Sequence, residues 1–329
     1  MICRMMKGAL AGALYLLASA ALGWAQDLSV RDYPSKPVRI VVPYAAGGGT
    51  DALARFLSHG LEKRLGQPFI IENRPGQGTA TGAAYVARVA PDGYTLLAAT
   101  SSTLAFNPTV YRKLPYDPLT DFSLISLIAA VPFVLVVNPS LPVKSVKELI
   151  AHSKTKPMNY GSSGVGTTVH LGMERMAALT GARFVHVPYK GTAPALIAVM
   201  GGEIEMVPAS AISASAAMKT GKVRGIGVMG LRRLPSLPDL PTVAEQGLPG
   251  FKIVNSYYAF APGGTPRAIV MAINRVVTEG MHSPQMAQKL LAEGSQPGER
   301  LTPDELKVQI AKEYVEVEKQ VKTLNIKLF

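Results

Sequence analysis

The stretch Pro43 to Asp51, PYAAGGGTD, puts three consecutive glycines between an apolar run, VRIVV, and a segment with helical spacing, ALARFLSHGLEKRL. Glycine loses more backbone freedom on folding than any other residue. Three of them at a strand-to-helix junction imply that something must come close to the main chain there. A second junction of this kind, YGSSGVGTTVH, runs from Tyr160 to His170, again after a short strand pattern and at the start of a helix. Thr50 and Thr167 are the expected helix caps. The first amides of a helix have no partner within it, and with the helix dipole they favour an anion. The expected ligand is a carboxylate. Two such loops facing each other would hold a diacid at both ends by charge-assisted hydrogen bonds, with no buried ion pair to desolvate.

The rest of the chain supports layered α/β architecture. Leu53, Leu57, Leu61 and Leu65 share one helical face. Strand and helix patterns then alternate through FIIENRPG, TGAAYVARVAPDGYTLLAAT, MNYG, FVHVPY, IEMVP and VRGIGVM. In FSLISLIAAVPFVLVVNP, Pro132 divides an apolar run, which suits a strand leaving one sheet for another better than one long helix. YYAFAPGG has the pattern of a return crossing. Amphipathic helices are expected near Pro266 to Glu279 and Pro303 to Leu324, packing back on the first lobe. The expected division is residues 1–25 as a signal peptide, 26–128 as the first part of lobe 1, 129–249 as lobe 2, and 250–329 as the second part of lobe 1. A ligand cleft lies between the lobes in this reading.

The amino-terminal stretch has basic Arg4 and Lys7, an apolar run from Ala9 to Leu22, and small residues before a cut after Ala25, as an export signal requires. Its removal would take away Cys3 and Trp24, the only cysteine and tryptophan, and lower the formal charge from +12 by two, to +10. A cysteine-free chain suits an oxidising compartment. The basic residues are dispersed, without an aromatic-interleaved patch, so no nucleic-acid partner is expected.

No catalytic constellation stands out. Gly166 and Gly49 lack the lysine that a Walker A loop needs after its last glycine, and GVGTTV lacks the last glycine of a dinucleotide fingerprint. GSSG is one residue short of a nucleophile elbow. The five histidines form no zinc pattern. We therefore expect no cofactor, no metal and no enzymatic activity. His170 can brace the second loop or touch a ligand. Asp51 would repel an anion if it faced the cleft. It serves instead on the outer face of the helix start, orients the loop, or meets a donor on the ligand. Ser101, Ser102 and Thr103 follow one strand pattern, Tyr189, Lys190 and Gly191 another, and Ala209 a third, all at ends where parallel sheets gather ligands.

Taken in order, YPSKPVRIVVPYAAGGGTDALAR, IENRPGQGTATGAAYVARVAPDGYTLL, FNPTVYRKLPYDPLTDF, NYGSSGVGTTVHLGMERMAALTG, FVHVPYKGTAPALIAVMGGEIEM, LPDLPTVAEQGLPGF and APGGTPRAIVMAINRVV resemble the solute-binding proteins of tripartite tricarboxylate transporters, the Bug or TctC-like family. The resemblance runs from about Tyr33 to the end. It implies a two-lobed periplasmic-binding-protein fold of type II that closes on an organic acid. It also implies delivery to a two-component inner-membrane permease, by a protein expected to be a monomer. Relatives take di- or tricarboxylates, acidic amino acids or aromatic acids. The same cleft serving a signalling receptor is the alternative, and a secreted enzyme a further one. The carboxylate-gripping loops map onto Ala46, Gly47, Gly48, Gly49, Thr50 and Asp51, and onto Ser162, Ser163, Gly164, Val165, Gly166, Thr167 and Thr168. Further ligand-facing groups map near Ser101–Thr103 and Tyr189–Gly191. The sequence Pro208-Ala209-Ser210 departs from relatives that carry a polar or acidic group there to meet a ligand amine. That favours a carboxylate without one.

Overall fold

A computed structural model describes residues 32–292 and 295–323. The expected export signal therefore lies outside the described residues. Strand β1 (Val38–Val42) leads through the first glycine loop into helix α1 (Gly49–Leu65). Leu53, Leu57 and Leu61 are buried on its inner face, and Gly66 ends it in the left-handed conformation. Then come β2 (Phe69–Asn73), a 3-10 turn (Gln77–Thr79), α2 (Ala80–Val86), β3 (Thr95–Thr100), a π-type turn (Ser102–Phe106) and the short α3 (Asn107–Val110).

β4 (Phe122–Val137) is the crossing strand that Pro132 led us to expect. Its first part, Phe122 to Pro132, pairs antiparallel with β9 (Val254–Pro262). From Phe133 to Val137 it pairs with β7 (Met206–Ser210), and Val134 to Val137 also pair with β8 (Arg224–Val228). Proline has no amide hydrogen to give a ladder, and Pro132 sits where β4 exchanges one partner strand for another.

One half of the molecule is built on the order β2-β1-β3-β9-β4 and the other on β4-β7-β5-β6. In the second half, α4 (Val146–Thr155) precedes β5 (Met158–Ser162), and the second glycine loop opens α5 (Thr168–Thr180). β6 (Phe184–Pro188), α6 (Thr192–Gly201), β7 and α7 (Ala211–Lys219) continue the alternation. β1 to β2 and β3, and β5 to β6, are parallel, so both glycine loops leave the carboxyl ends of parallel strands.

After the return crossing come α8 (Arg267–Met281), α9 (Pro284–Ala292), the two-residue β10 (Gln296–Pro297) and α10 (Pro303–Thr323). Helix α9 had no counterpart in the sequence reading. α10 does pack back on the first half through Leu306 and Ile310, which join a core with Leu97, Tyr258 and Phe260. Farther along, Val317 and Val321 share a cluster with Val110 and with Leu171 of α5, so α10 touches both halves.

Candidate functional site: two glycine loops in a closed cleft

The two lobes meet across the loops. The Ala45 amide donates to the Lys190 carbonyl at 2.8 Å, and the Tyr111 hydroxyl to the Val165 carbonyl at 3.0 Å. Ser102 Oγ, from the first lobe, accepts from the Thr168 amide at 3.2 Å and lies 3.2 Å from its hydroxyl. These contacts define a closed arrangement.

Closure explains the bareness of Gly49. A Cβ there would lie 2.3 Å from Ser210 Oγ and 2.8 Å from Ser210 Cβ, in the opposite lobe. The same logic holds at Gly78, where a Cβ would meet the Val165 carbonyl oxygen at 2.1 Å. Part of what we had assigned to a ligand's close approach is therefore the approach of the other lobe.

Gly48 caps α1 in an extended conformation with no side-chain bond, so Thr50 is inside the helix rather than its cap. The amides of Gly48, Gly49 and Thr50 make no hydrogen bond to protein among the described residues. Gly47 is different, because its amide donates to Asp51 Oδ2 at 3.1 Å. Asp51 also accepts from Arg55 Nε at 2.9 Å and Arg55 Nη2 at 3.2 Å, and from Asn73 Nδ2 at 3.0 Å. It is only 4 % exposed. Burial opposes its ionisation, but hydrogen bonds from Arg55, Asn73 and Gly47 outweigh it and hold the carboxyl below the ordinary carboxylate value. Among the uses we had considered for Asp51, the structure displays loop bracing.

The second loop has fewer open donors than its sequence implied. Gly164 N donates to Ser162 Oγ at 3.0 Å, Gly166 N to His170 Nδ1 at 3.2 Å, and Thr168 N to Ser102. Thr167 does occupy the cap position of α5, but its hydroxyl donates to the Gly164 carbonyl at 2.8 Å. The amides of Ser163, Val165 and Thr167 have no protein partner among the described residues. His170 therefore braces the loop, as one of the expected roles required.

Around the loops runs a belt of buried hydroxyls and amides. Tyr257, on the return crossing, is buried beside Asn255, Ser210 and Thr50, whose polar groups lower its pKa less than burial raises it, so its phenol is pushed up. Thr168 Oγ1 reaches Asn255 Oδ1 at 3.1 Å, and Tyr44 shares a 2.8 Å bond with Thr100. Tyr44, Ser210, Asn255 and Tyr257 had not been singled out as site residues. The alternation in YYAFAPGG and the serine in ASAIS were the available signals.

The remaining expected residues divide. Ala46 and Gly47 are exposed at the loop tip. Thr103 is buried and bonds Thr79 at 2.9 Å, within its own lobe. Ser101 turns away from the loops, accepting from Ser256 N at 3.4 Å and meeting Glu313 of α10. Ala209 packs in the core opposite Val134, and its neighbour Ser210 is the residue against the loop. Strand β7 extends two residues beyond the expected IEMVP, which carries Ala209 inside the sheet. Tyr189 is half-buried with its amide on the Ser162 carbonyl at 3.1 Å, Lys190 is exposed, and Gly191 packs near the Ala45 amide.

Beneath the second loop, His186 stacks on His170 at 4.0 Å and on Tyr160 at 5.0 Å, and its Nε2 lies 2.6 Å from Ser162 Oγ. Burial lowers the pKa of His170 to about 4, and burial with the neighbouring His170 lowers that of His186 to about 3. Both rings are neutral in the folded protein near pH 7. An unfolded chain binds protons below the ordinary value of 6.5, which the folded chain refuses. Stability therefore falls as pH drops from 6.5 and stops falling, for His170, near 4. His170 alone contributes on the order of 3 kcal/mol to this loss. Thermal melts from pH 7 to 4 should descend steeply in the wild type and less so in His170→Gln. Parallel profiles would refute the assignment.

A closed, two-lobed α/β fold with glycine loops at strand ends is the architecture of a solute-binding protein. The family description "Tripartite tricarboxylate transporter family receptor" matches residues 53–325. The chain belongs to that family, whose members are receptors rather than enzymes. It is 35% identical over 301 residues to Protein BugT of Bordetella pertussis (strain Tohama I), covering 89% of this chain and 91% of BugT. Among solved structures it is similar to R. palustris Rpa4515 with adipate, at TM-score 0.87 and 37% identity, covering 90% of this chain and all of that one. It is also similar to MatC from Rhodopseudomonas palustris with bound malate, at TM-score 0.83 and 31% identity, covering 88% of this chain and all of the other.

Proposed function

We propose that the protein is a periplasmic receptor that closes on a small organic dicarboxylate and delivers it to a two-component inner-membrane permease. The observation that carries this reading is the set of unpartnered amides at Gly48, Gly49 and Thr50 in the first loop, together with those of Ser163, Val165 and Thr167 in the second. Neither loop contains a lysine or arginine. The donors are peptide groups and hydroxyls, which bind an oxyanion and still permit release. Two similar proteins hold adipate and malate, which supports the dicarboxylate class. The absence of an acid at Pro208-Ala209-Ser210 supports a ligand without an amine. In this proposal the lobes follow the expected division, residues 26–128 with 250–329, and 129–249. Among the described residues no helix is long and apolar enough to cross a membrane.

Calorimetric titration of adipate and malate into the chain lacking residues 1–25 tests the reading. We expect saturable binding to one of them in the micromolar range, equivalent to about 8 kcal/mol. No saturable heat with either acid, nor with a broad panel of C4 to C8 diacids, would refute it.

A further inference from the structure

The second glycine loop is pinned from both lobes at one peptide group. The Val165 carbonyl accepts from the Tyr111 hydroxyl of the opposite lobe at 3.0 Å. The Gly166 amide, in the same peptide plane, donates to His170 Nδ1 of its own lobe at 3.2 Å. A planar trans peptide points these two groups in opposite directions, so the two bonds together fix its rotation. Gly166, at φ +74°, has no Cβ to resist that rotation by itself. The amides of Val165 and Thr167, two of the loop's unpartnered donors among the described residues, flank this plane. Fixing the plane therefore sets the angle between them.

The contact is built into both sides. A Cβ at Gly78 would collide with the Val165 oxygen and stand 3.1 Å from the Tyr111 hydroxyl. One at Gly164 would lie 2.9 Å from Gly78 Cα, and one at Gly166 2.9 Å from Tyr111 Cε2 and 2.7 Å from Val110 Cγ2. Buried Asn107 ties the pieces of the first lobe together. Its Nδ2 donates to the Gly78 carbonyl at 2.8 Å and to Thr79 Oγ1 at 3.0 Å, and its main-chain carbonyl accepts from the Tyr111 amide at 2.9 Å. Burial raises the Tyr111 pKa, so the phenol keeps the proton that it donates.

We propose that Tyr111 is a positioning residue of the ligand site, whose hydroxyl reaches across the closed cleft and sets the second loop's free amides, so that this half of the site is complete only when the lobes meet. The inference rests on the reading that those amides hold an oxyanion. Opening then does two things at once. It uncovers the solute, and it slackens the loop that grips it.

The test starts without ligand. The chain lacking residues 1–25 contains no cysteine, so Gly48→Cys with Thr192→Cys gives one possible disulfide. The two Cβ atoms would stand 4.0 Å apart across the cleft, within the range a disulfide spans. Gly48 has φ −85°, open to any residue. Oxidation closes this protein and reduction frees it. Oxidation should slow exchange of the Gly166 amide hydrogen, followed by proton–nitrogen NMR, by at least ~10-fold. Adding Tyr111→Phe, which keeps the ring, should cancel about 5-fold of that protection, the worth of one neutral hydrogen bond. The reduced protein should melt at the same temperature with and without Tyr111→Phe, because there the hydroxyl meets water. In the chain with Gly48 and Thr192 intact, Tyr111→Phe should weaken adipate about 5-fold by calorimetry. Equal Gly166 exchange in the two oxidised proteins would overturn the proposal, as would unchanged adipate affinity. A reduced protein destabilised by Tyr111→Phe would do the same, since that marks a purely structural role. A pair that will not crosslink would deny the closed contact on which the proposal stands. If the wild type takes neither adipate nor another diacid, the functional reading fails, and the exchange measurements still decide whether Tyr111 positions the loop.

Discussion

Gly49→Ala should lower the affinity for adipate, or whichever diacid binds, by about 100-fold without unfolding the protein. The added methyl group would sit 2.3 Å from Ser210 Oγ and 2.8 Å from Ser210 Cβ, with the Tyr257 hydroxyl at 3.2 Å. Ser210 cannot swing away freely. Its Oγ is tied to Ser213 Oγ at 2.6 Å and accepts from the Ser213 amide at 3.3 Å, capping α7. The collision arises only when the lobes meet. In an open form the alanine is a better helix former than glycine, by up to about 1 kcal/mol. Thermal stability without ligand should therefore hold or rise while binding falls. A closure penalty of roughly 3 kcal/mol gives the stated loss, because a ligand that needs the closed state is weakened by that state's depopulation. Solution scattering should show the variant more expanded in the presence of adipate than the wild type. Ser210→Gly removes the colliding atoms at a capping cost of only a few tenths of a kcal/mol, so the double variant should regain affinity to within a few-fold. Gly48→Ala is the control. Its Cβ would have no protein neighbour closer than 3.9 Å, so it should leave lobe closure intact, and scattering with adipate should match the wild type. A Gly49→Ala protein with unchanged affinity would refute the closing role of this helix start.

Much of the architecture was legible because it depends on local signals. Pro132 announced the sheet change, since a residue without an amide hydrogen belongs at a break in a ladder. The leucine spacing of α1 announced its buried face. The glycine loops were legible as helix starts at the ends of strands. Their occupancy was not, because it is settled by groups far away in sequence. Ser102 takes the Thr168 amide from 66 residues upstream. Ser210 approaches Gly49 only because two sheets share β4 and fold toward each other. Ala209 and Ser210 differ by one position, yet one lies in the core and the other against the loop. A strand end misplaced by two residues was enough to select the wrong one. The turn at Gln77–Thr79 gave even less warning. Thr79 adopts φ +92°, unusual for a branched residue, and is held by Thr103 at 2.9 Å and Asn107 at 3.0 Å. Neighbouring Gly78 then touches Val165 of the other lobe. No local pattern in GQGTATG announces such a contact.

Asp51→Asn should disorder the first loop and destabilise the protein by about 2–4 kcal/mol, the cost of stranding donors around a buried acceptor. The aspartate oxygens receive four bonds, from Gly47, Asn73 and two from Arg55. An asparagine has one oxygen, and its amino group would face donors where an acceptor stood. The lower end of the range is favoured by Arg55, whose side chain is 57% exposed and is rescued by water. Asn73 also donates to the Tyr44 carbonyl at 3.0 Å, so loosening it loosens the strand end from which the loop departs. Ligand affinity should fall together with stability, the pattern opposite to that of Gly49→Ala. The pH dependence separates Asp51 from the histidines. A carboxyl whose folded pKa is depressed contributes stability that is present above its unfolded value of 3.8 and lost as pH falls through the folded value. The histidine loss begins at 6.5 instead. The difference in stability between wild type and Asp51→Asn should thus stay constant from pH 7 down to about 4 and shrink only below it. Denaturant titrations at pH 7, 5 and 3.5 measure this directly. A difference that closes between pH 7 and 5 would place the ionisable group elsewhere and remove Asp51 as the brace of the loop.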